Sequence, residues 1–198
     1  GEPAVSPDGA WVAFSVRDTD LDANKGRFDL WLAKVDGSAT RRLTSHPDND
    51  TSPAWSPDGA YVYFQSTRGG SSQVWRIAVA GGEAEQVTRL PLDVNGFKLF
   101  PDGQRLAVAI DVWPEAKTLA DSVAKDEAVA KDKVDVQAYD QLLFRHWDTW
   151  EDGKYSHLFV WSPDKPDDAR DLLQPDAARA DRAQLRLGGV ENGLASLV

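Results

Sequence analysis

The chain has 198 residues, 41% of them apolar, and a formal net charge of −10, so its length and composition suffice for a sizeable globular core. It has no basic cluster that could neutralise a row of phosphates and no apolar run near the roughly 18 residues that cross a bilayer, which disfavours nucleic acid and membranes as partners. The absence of Cys excludes disulfides and thiolate chemistry.

A turn motif recurs along the chain. Ser-Pro-Asp-Gly begins at Ser6 and again at Ser56, and a looser copy, Phe-Pro-Asp-Gly, begins at Phe100. Pro presets φ, Asp accepts hydrogen bonds from nearby backbone N–H groups and Gly accepts positive φ, so the motif predicts a hairpin turn. The third and fifth residues after each Gly are apolar, which predicts a strand with one face in a core.

A second element follows each of the first two copies. Trp31 and Trp75 lie 44 residues apart, and the closing threonines, Thr44 and Thr88, have the same separation. Each repeat then supplies about four short strands, and a four-stranded sheet repeated at this interval is typical of a β-propeller blade. We therefore expect an all-β fold, a single partial β-propeller of about three four-stranded antiparallel blades with one short helical insertion.

The expected blades follow one another along residues 1–198. They span about 3–44, 45–88 and 89–173, with an insertion at 112–138, and residues 174–198 are irregular or begin a further blade. Three blades do not close a ring, because propellers have roughly four to eight. We therefore expect this chain to be a piece of a longer polypeptide and, alone, to self-associate through open blade edges.

An acidic insertion at 17–27 interrupts the first blade. Its oxygen-bearing side chains stand at alternate positions: Asp18, Asp20, Asp22 and Asn24. Alternating oxygen ligands suit Ca²⁺, but Ala23 stands where a calcium loop needs Gly, and Asp29 where a bidentate Glu is usual. We expect a solvated acidic loop, and calcium is the weaker interpretation.

The insertion in the third blade contains a helical pattern. Residues 114–133 are rich in Ala, Lys, Asp and Glu, and apolar residues favour one helical face: Leu119, Val123, Ala130 and Val134. Because this stripe is thin, we expect a short amphipathic helix on the propeller rim. It could touch an attached domain, gate a substrate, or be a simple surface excursion.

Residues 145–157 concentrate two Trp, one Tyr, two His and three carboxylates. Asp152-Gly153 predicts a hairpin turn that would pair residues 146–149 with residues 155–161. A metal cluster could be drawn from His146, Asp148, Asp152 and His157, but no His-x-His pair shares a strand face, so we expect no metal or other cofactor.

The repeats resemble the propeller repeats of the TolB protein and of the prolyl oligopeptidase family of serine peptidases. Residues 139–153 with His157–Val160 are similar to the corresponding segment of bacterial acylaminoacyl-peptidase and dipeptidyl-peptidase relatives. The resemblance covers about residues 3–173. It implies a non-catalytic propeller that admits short peptides to the active site of a C-terminal α/β-hydrolase domain, and it favours the bacterial periplasm over the cytoplasm, although localisation stays open.

No catalytic residue is expected in this chain, because the family's Gly-x-Ser-x-Gly nucleophile elbow does not occur in it. Arg145 could bind a peptide carboxylate or carbonyl, and Glu151 is the nearest candidate for a peptide amine. Alternatively, Arg145 pairs with Asp140 or Asp148 and orders the insertion. The rival interpretation of the whole chain is a TolB-like propeller that binds a protein partner without an attached hydrolase.

Overall fold

A computed structural model describes residues 3–22, 24–132, 145–146, 149–150 and 153–173. Within these ranges the chain forms three four-stranded antiparallel sheets, one helix and a two-stranded ladder. The expected all-β partial propeller is thereby confirmed.

Blades one and two each use four consecutive strands. Blade one contains β1 (Ala4–Val5), β2 (Trp11–Asp20), β3 (Lys25–Lys34) and β4 (Thr40–Arg42), in that order across the sheet. Blade two contains β5 (Asp50–Trp55), β6 (Tyr61–Ser66), β7 (Gln73–Ala78) and β8 (Glu85–Gln86), again in sequence order.

Blade three is interrupted between its second and third strands. Its sheet contains β9 (Gly96–Leu99), β10 (Leu106–Val112), β13 (Tyr155–Ser162) and β14 (Lys165–Asp171). The interruption carries α1 (Leu119–Lys131) and the ladder of β11 (Arg145–His146) with β12 (Thr149–Trp150).

The turn motif joins the first and second strands of each blade. Ser6 Oγ donates to Asp8 Oδ1 at 2.6 Å and accepts from the Trp11 backbone N at 2.8 Å, and the second copy repeats both bonds. The motif glycines have positive φ, 71° at Gly9 and 68° at Gly103. These bonds and angles are those that the hairpin-turn prediction requires.

Apolar residues of neighbouring blades form two cores. Leu30 and Leu32 of blade one pack with Phe64 of blade two, while Val74 of blade two packs with Phe159 of blade three. Neighbouring sheets therefore bury the faces that meet, which is how the repeated strands become blades of one molecule.

The expected loop at 17–27 is wrong. Strands β2 and β3 pair without a break from Trp11 opposite Lys34 to Asp20 opposite Lys25, so this insertion is a two-stranded ribbon. The alternation of acidic residues has the period of a strand, and Asp18 lies opposite Arg27, an arrangement of opposite charges that stabilises an antiparallel pair.

The expected pairing of residues 146–149 with 155–161 is also wrong. Arg145 pairs with Trp150 and His146 with Thr149, so the ladder is complete within the insertion. Strand β13 already has partners on both edges, β10 on one and β14 on the other.

The helix forms inside the expected range, but its buried face differs. Thr118 caps it in a capping box with Asp121. Leu119 is buried as expected, yet Val123 is only half-buried and Ala130 is exposed, while Ser122 is fully buried. Val134 lies outside the described residues.

Candidate functional site at the insertion-bearing end

Because neighbouring strands are antiparallel, successive connections lie alternately at the two ends of the blades. The turn motifs, which join the first and second strands of each blade, lie at one end, here called the turn-bearing end. Connections β2–β3, β6–β7 and β10–β13 lie at the opposite, insertion-bearing end, with the blade-to-blade connections. Both insertions of the sequence therefore emerge at one end of the molecule.

Trp113 holds the helix to the strand that precedes it. Its indole Nε1 donates to Asp126 Oδ1 at 2.8 Å, and its backbone N donates to Ser122 Oγ at 2.9 Å. Lys125 Nζ lies 3.9 Å from the centroid of the indole ring, within cation–π range. This explains why the polar Ser122, and not an apolar residue, is buried on the helix.

The returning arm of the insertion joins the same cluster. Lys154 Nζ lies 2.8 Å from Asp126 Oδ1. A Cβ at Gly153 would stand 3.0 Å from the Trp113 ring, so glycine permits this approach. We call Trp113, Ser122, Asp126 and Lys154 the insertion clamp, because they fix both arms of the insertion to one helix.

The clamp favours the ionised form of Asp126. Burial raises the pKa of this carboxyl, but hydrogen bonds from Lys154 and Trp113 and the charge of Lys154 outweigh it, so the pKa lies below its ordinary value. The clamp is therefore complete at neutral pH.

A polar residue occupies the same position on the third strand of each blade. The three positions correspond because, in each blade, the carbonyl of the residue that follows accepts a hydrogen bond from a backbone N at the end of the fourth strand. These bonds run from Leu43 N to Leu30 O, from Val87 N to Val74 O and from Leu172 N to Leu158 O. The preceding residues are Asp29, Gln73 and His157.

These three residues bind the chain as it leaves the blade. Asp29 pairs with Arg42, and His157 Nδ1 lies 2.7 Å from Asp171 Oδ2, whereas Gln73 binds the connection that follows blade two. Sequence reasoning missed this role, although the repeat alignment places all three at one position. His157 thus contacts its own blade's outer strand.

The structure tests little of the substrate-binding prediction. The Arg145 backbone lies in the ladder opposite Trp150, but its side chain and all of Glu151 lie outside the described residues. Asp148 and Asp152 of the rejected metal cluster also lie outside them.

The calcium candidates lie along and at the tip of the ribbon. Asp18 Oδ2 is 3.9 Å from Arg27 Nη2, Asp22 and Asn24 stand in the tip, and the Asp20 side chain lies outside the described residues. Among the residues that the structure describes, no three His, Cys, Asp or Glu side chains are grouped to hold a metal ion. No helix in the described ranges has the length and apolar character to span a bilayer.

Residues 1–127 match the family model described as PD40, TolB beta propeller domain. The chain belongs to this propeller family. It is 30% identical over 159 residues to dipeptidyl-peptidase 5 of Porphyromonas endodontalis, covering 80% of this chain and 22% of that protein. It is also 32% identical over 98 residues to Tol-Pal system protein TolB of Francisella tularensis subsp. holarctica, covering 48% and 22%.

A solved acylaminoacyl peptidase from Pyrococcus horikoshii has the same fold over 89% of this chain and 25% of its own, with a TM-score of 0.63 at 15% identity. The predicted resemblance is confirmed: the chain is a TolB-type β-propeller segment that is similar to segments of dipeptidyl-peptidase 5 and, in fold, of the acylaminoacyl peptidase. It spans about a fifth of the length of the relatives that it matches.

Proposed function

We propose that this segment is the non-catalytic propeller part of a serine peptidase that hydrolyses short peptides. Its insertion-bearing end faces a C-terminal α/β-hydrolase domain of the same polypeptide and restricts the entry of larger substrates. The observation that carries the proposal is the gathering of the ribbon and of the clamped insertion at one end, since loops on a rigid scaffold are where propellers and similar folds place function.

The contacts of the insertion and of the ribbon support a rigid barrier. The clamp ties the helix to both arms of the insertion, and Phe28 N, at the base of the ribbon, donates to Asn49 Oδ1 at 3.0 Å. A barrier held in this way selects substrates by size, because it does not yield to a folded protein as a loose loop would.

The test uses the full-length polypeptide that contains this chain. A fluorophosphonate probe should label one serine outside residues 1–198, and the enzyme should cleave peptides of a few residues far faster than casein. Replacing residues 114–153 with a short Asn-Gly turn should raise casein cleavage relative to peptide cleavage, because the obstruction is removed. A matched replacement of Gly81-Gly82 by Asn-Gly, at the turn-bearing end, should leave this ratio unchanged.

Two results would contradict the proposal. An unchanged casein-to-peptide ratio in the shortened variant would remove the gating role. Absence of any labelled serine and of any hydrolysis would instead favour a TolB-like module that binds a protein partner. The 32% identity to TolB over 98 residues is the observation that favours this second function.

We also propose that another blade of the same polypeptide covers the open face of blade one. Val12, Phe14 and Trp31 lie half-buried on that face, and they correspond to Val62, Phe64 and Trp75, which pack against blade one. Residues 1–198 alone should therefore self-associate, and light scattering that shows a monomer at all concentrations would contradict this.

A further inference from the structure

Helix α1 is packed against the blades through its first half. Leu119 is buried in the core that blades two and three share, and Ser122 Oγ accepts from Trp113 N at 2.9 Å. Asp126 is half-buried, whereas every residue from 127 to the end of the helix at 131 is exposed. Asp126 is therefore the last residue of the helix that packing shields from solvent.

At this position one carboxylate joins the two arms of the insertion. Trp113 directly follows β10 on the outgoing arm, and its Nε1 donates to Asp126 Oδ1 at 2.8 Å. Lys154 directly precedes β13 on the returning arm, and its Nζ is 2.8 Å from Asp126 Oδ1 and 2.9 Å from Oδ2. The other polar contacts that the structure describes between the helix and the arms, from Ser122 and Lys125, are with the outgoing arm.

The next carboxylate of the helix makes a different kind of contact. Glu127 Oε2 lies 3.2 Å from Lys131 Nζ, four residues further along the same helix, and both side chains are exposed. Such a pair supports the helix itself and ties it to no other element. Adjacent residues of α1 thus carry one ion pair between elements and one within an element.

We propose that Asp126 is the positioning residue that sets the size limit for substrates at the insertion-bearing end, because it fixes the returning arm and the second half of α1 to Trp113. This inference rests on the proposed function. Leu119 and Ser122 keep the first half of the helix in place when the Asp126–Lys154 pair breaks, so the released form keeps its blades intact. This released form admits larger substrates, and the strength of the pair sets its population.

The full-length polypeptide is the protein to assay, with casein and a short peptide as substrates. Asp126→Asn and Lys154→Met each remove the ion pair, and the loss of a charge-assisted bond between partly exposed groups raises the released population about three- to tenfold. We expect the casein-to-peptide ratio of kcat/KM to rise by this factor, while cleavage of the peptide changes less than about twofold. The gain should be a lower KM for casein at unchanged kcat, because only the fraction of molecules able to bind casein changes.

Two matched variants separate this role from the general charge of the helix. Glu127→Gln removes the neighbouring carboxylate and its ion pair, and it should leave the ratio unchanged. Lys154→Arg keeps a cation that reaches Asp126, and it should retain the wild-type ratio.

Salt and hydrogen exchange supply two readouts that a merely structural role would not produce. Raising NaCl from about 0.05 M to about 0.5 M should raise the ratio in the wild type and not in Asp126→Asn, because salt screens a pair that the variant lacks. Hydrogen exchange in Asp126→Asn should quicken in the helix while the amides of β10 do not change, which shows that the blade is intact.

The outcomes distinguish this inference from the proposed function. If the shortened variant raises the ratio but Asp126→Asn or Lys154→Met does not, the inference is overturned and the gating function stands. An unchanged ratio in the shortened variant refutes gating, and this inference with it. An equal rise in Glu127→Gln would also overturn the inference, because the charge of the helix and not the link between its arms would then set the size limit.

Discussion

Replacing Gln73 tests how the connection after blade two is fixed. Gln73 is 1% exposed, and its Oε1 accepts from the Thr88 hydroxyl at 2.8 Å and from Leu90 N at 3.0 Å. Its Nε2 donates to the carbonyls of Leu90 at 3.1 Å and Leu92 at 3.0 Å. One buried amide thereby serves both backbone groups of Leu90, which have no strand partner in this connection.

Gln73→Met keeps the volume and removes these four bonds together with a longer one, 3.4 Å, from Nε2 to Ser71 Oγ. The N–H and C=O of the buried Leu90 lose their partners, and each orphaned buried group costs about 1–3 kcal/mol. Leu92 is half-buried and Thr88 can still accept from Val74 N, so they add less. We expect the free energy of unfolding to fall by about 3 kcal/mol.

Urea denaturation followed by tryptophan fluorescence measures this loss, and hydrogen exchange locates it. The Leu90 amide should exchange faster in Gln73→Met while amides in the centre of blade one do not change. Gln104→Met is the control, since Gln104 is exposed and its side chain makes no hydrogen bond within the part of the chain that the structure describes, and it should cost less than about 0.5 kcal/mol. Equal stabilities of the two variants, with unchanged exchange at Leu90, would refute the reasoning.

Two further changes test the clamp and the turns. Asp126→Asn should speed hydrogen exchange in the helix at neutral pH, because the bond to Lys154 loses its charge. The lowered pKa of Asp126 means that its ionised form stabilises the clamp above the ordinary pKa of an aspartate, and that this contribution is lost as pH falls through the lowered pKa. In the wild type the same loosening should therefore appear only in acid, and exchange independent of acid would contradict this. Gly103→Ala should destabilise more than Gly9→Ala on urea denaturation: both have positive φ, but Pro57 stands 3.1 Å from a Cβ only at Gly103, and equal losses would exclude the steric cause.

The sequence predicts the blades because their chemistry is local. Within four residues, the motif at Ser6 contains the proline, the carboxylate and the glycine that its turn needs. In the strand that follows, apolar residues at every second position indicate which face is buried. The same features at Ser56 and Phe100 then establish the repeat. Fold class could therefore be predicted without any knowledge of long-range contacts.

The insertions could not be predicted in the same way, because their partners are distant in sequence. The ribbon was mistaken for a loop, since acidic residues disfavour strands on average and only the cross-strand arginine and lysine reveal the ladder. The buried face of the helix was missed because it depends on Trp113, whose partners Asp126 and Lys154 lie 13 residues and more away.

The two ends of the blades differ in how the hydrogen bonds of their polar groups are satisfied. At the turn-bearing end, each motif carboxylate is bound by its own turn. The Ser6 hydroxyl lowers the pKa of Asp8, and the backbone N–H groups of Arg105 and Gln104 are the main causes that lower the pKa of Asp102 to about 2. These carboxylates are therefore ionised and already bonded at neutral pH.

At the insertion-bearing end, the connections depend on partners in other elements. Asn49 binds the base of the ribbon and Asp93 Oδ1 accepts from Ser72 N at 2.7 Å, each across 21 residues, while Lys154 reaches Asp126 across 28. Such contacts can be rebuilt without disturbing a turn or a blade, whereas a change in the motif disturbs both.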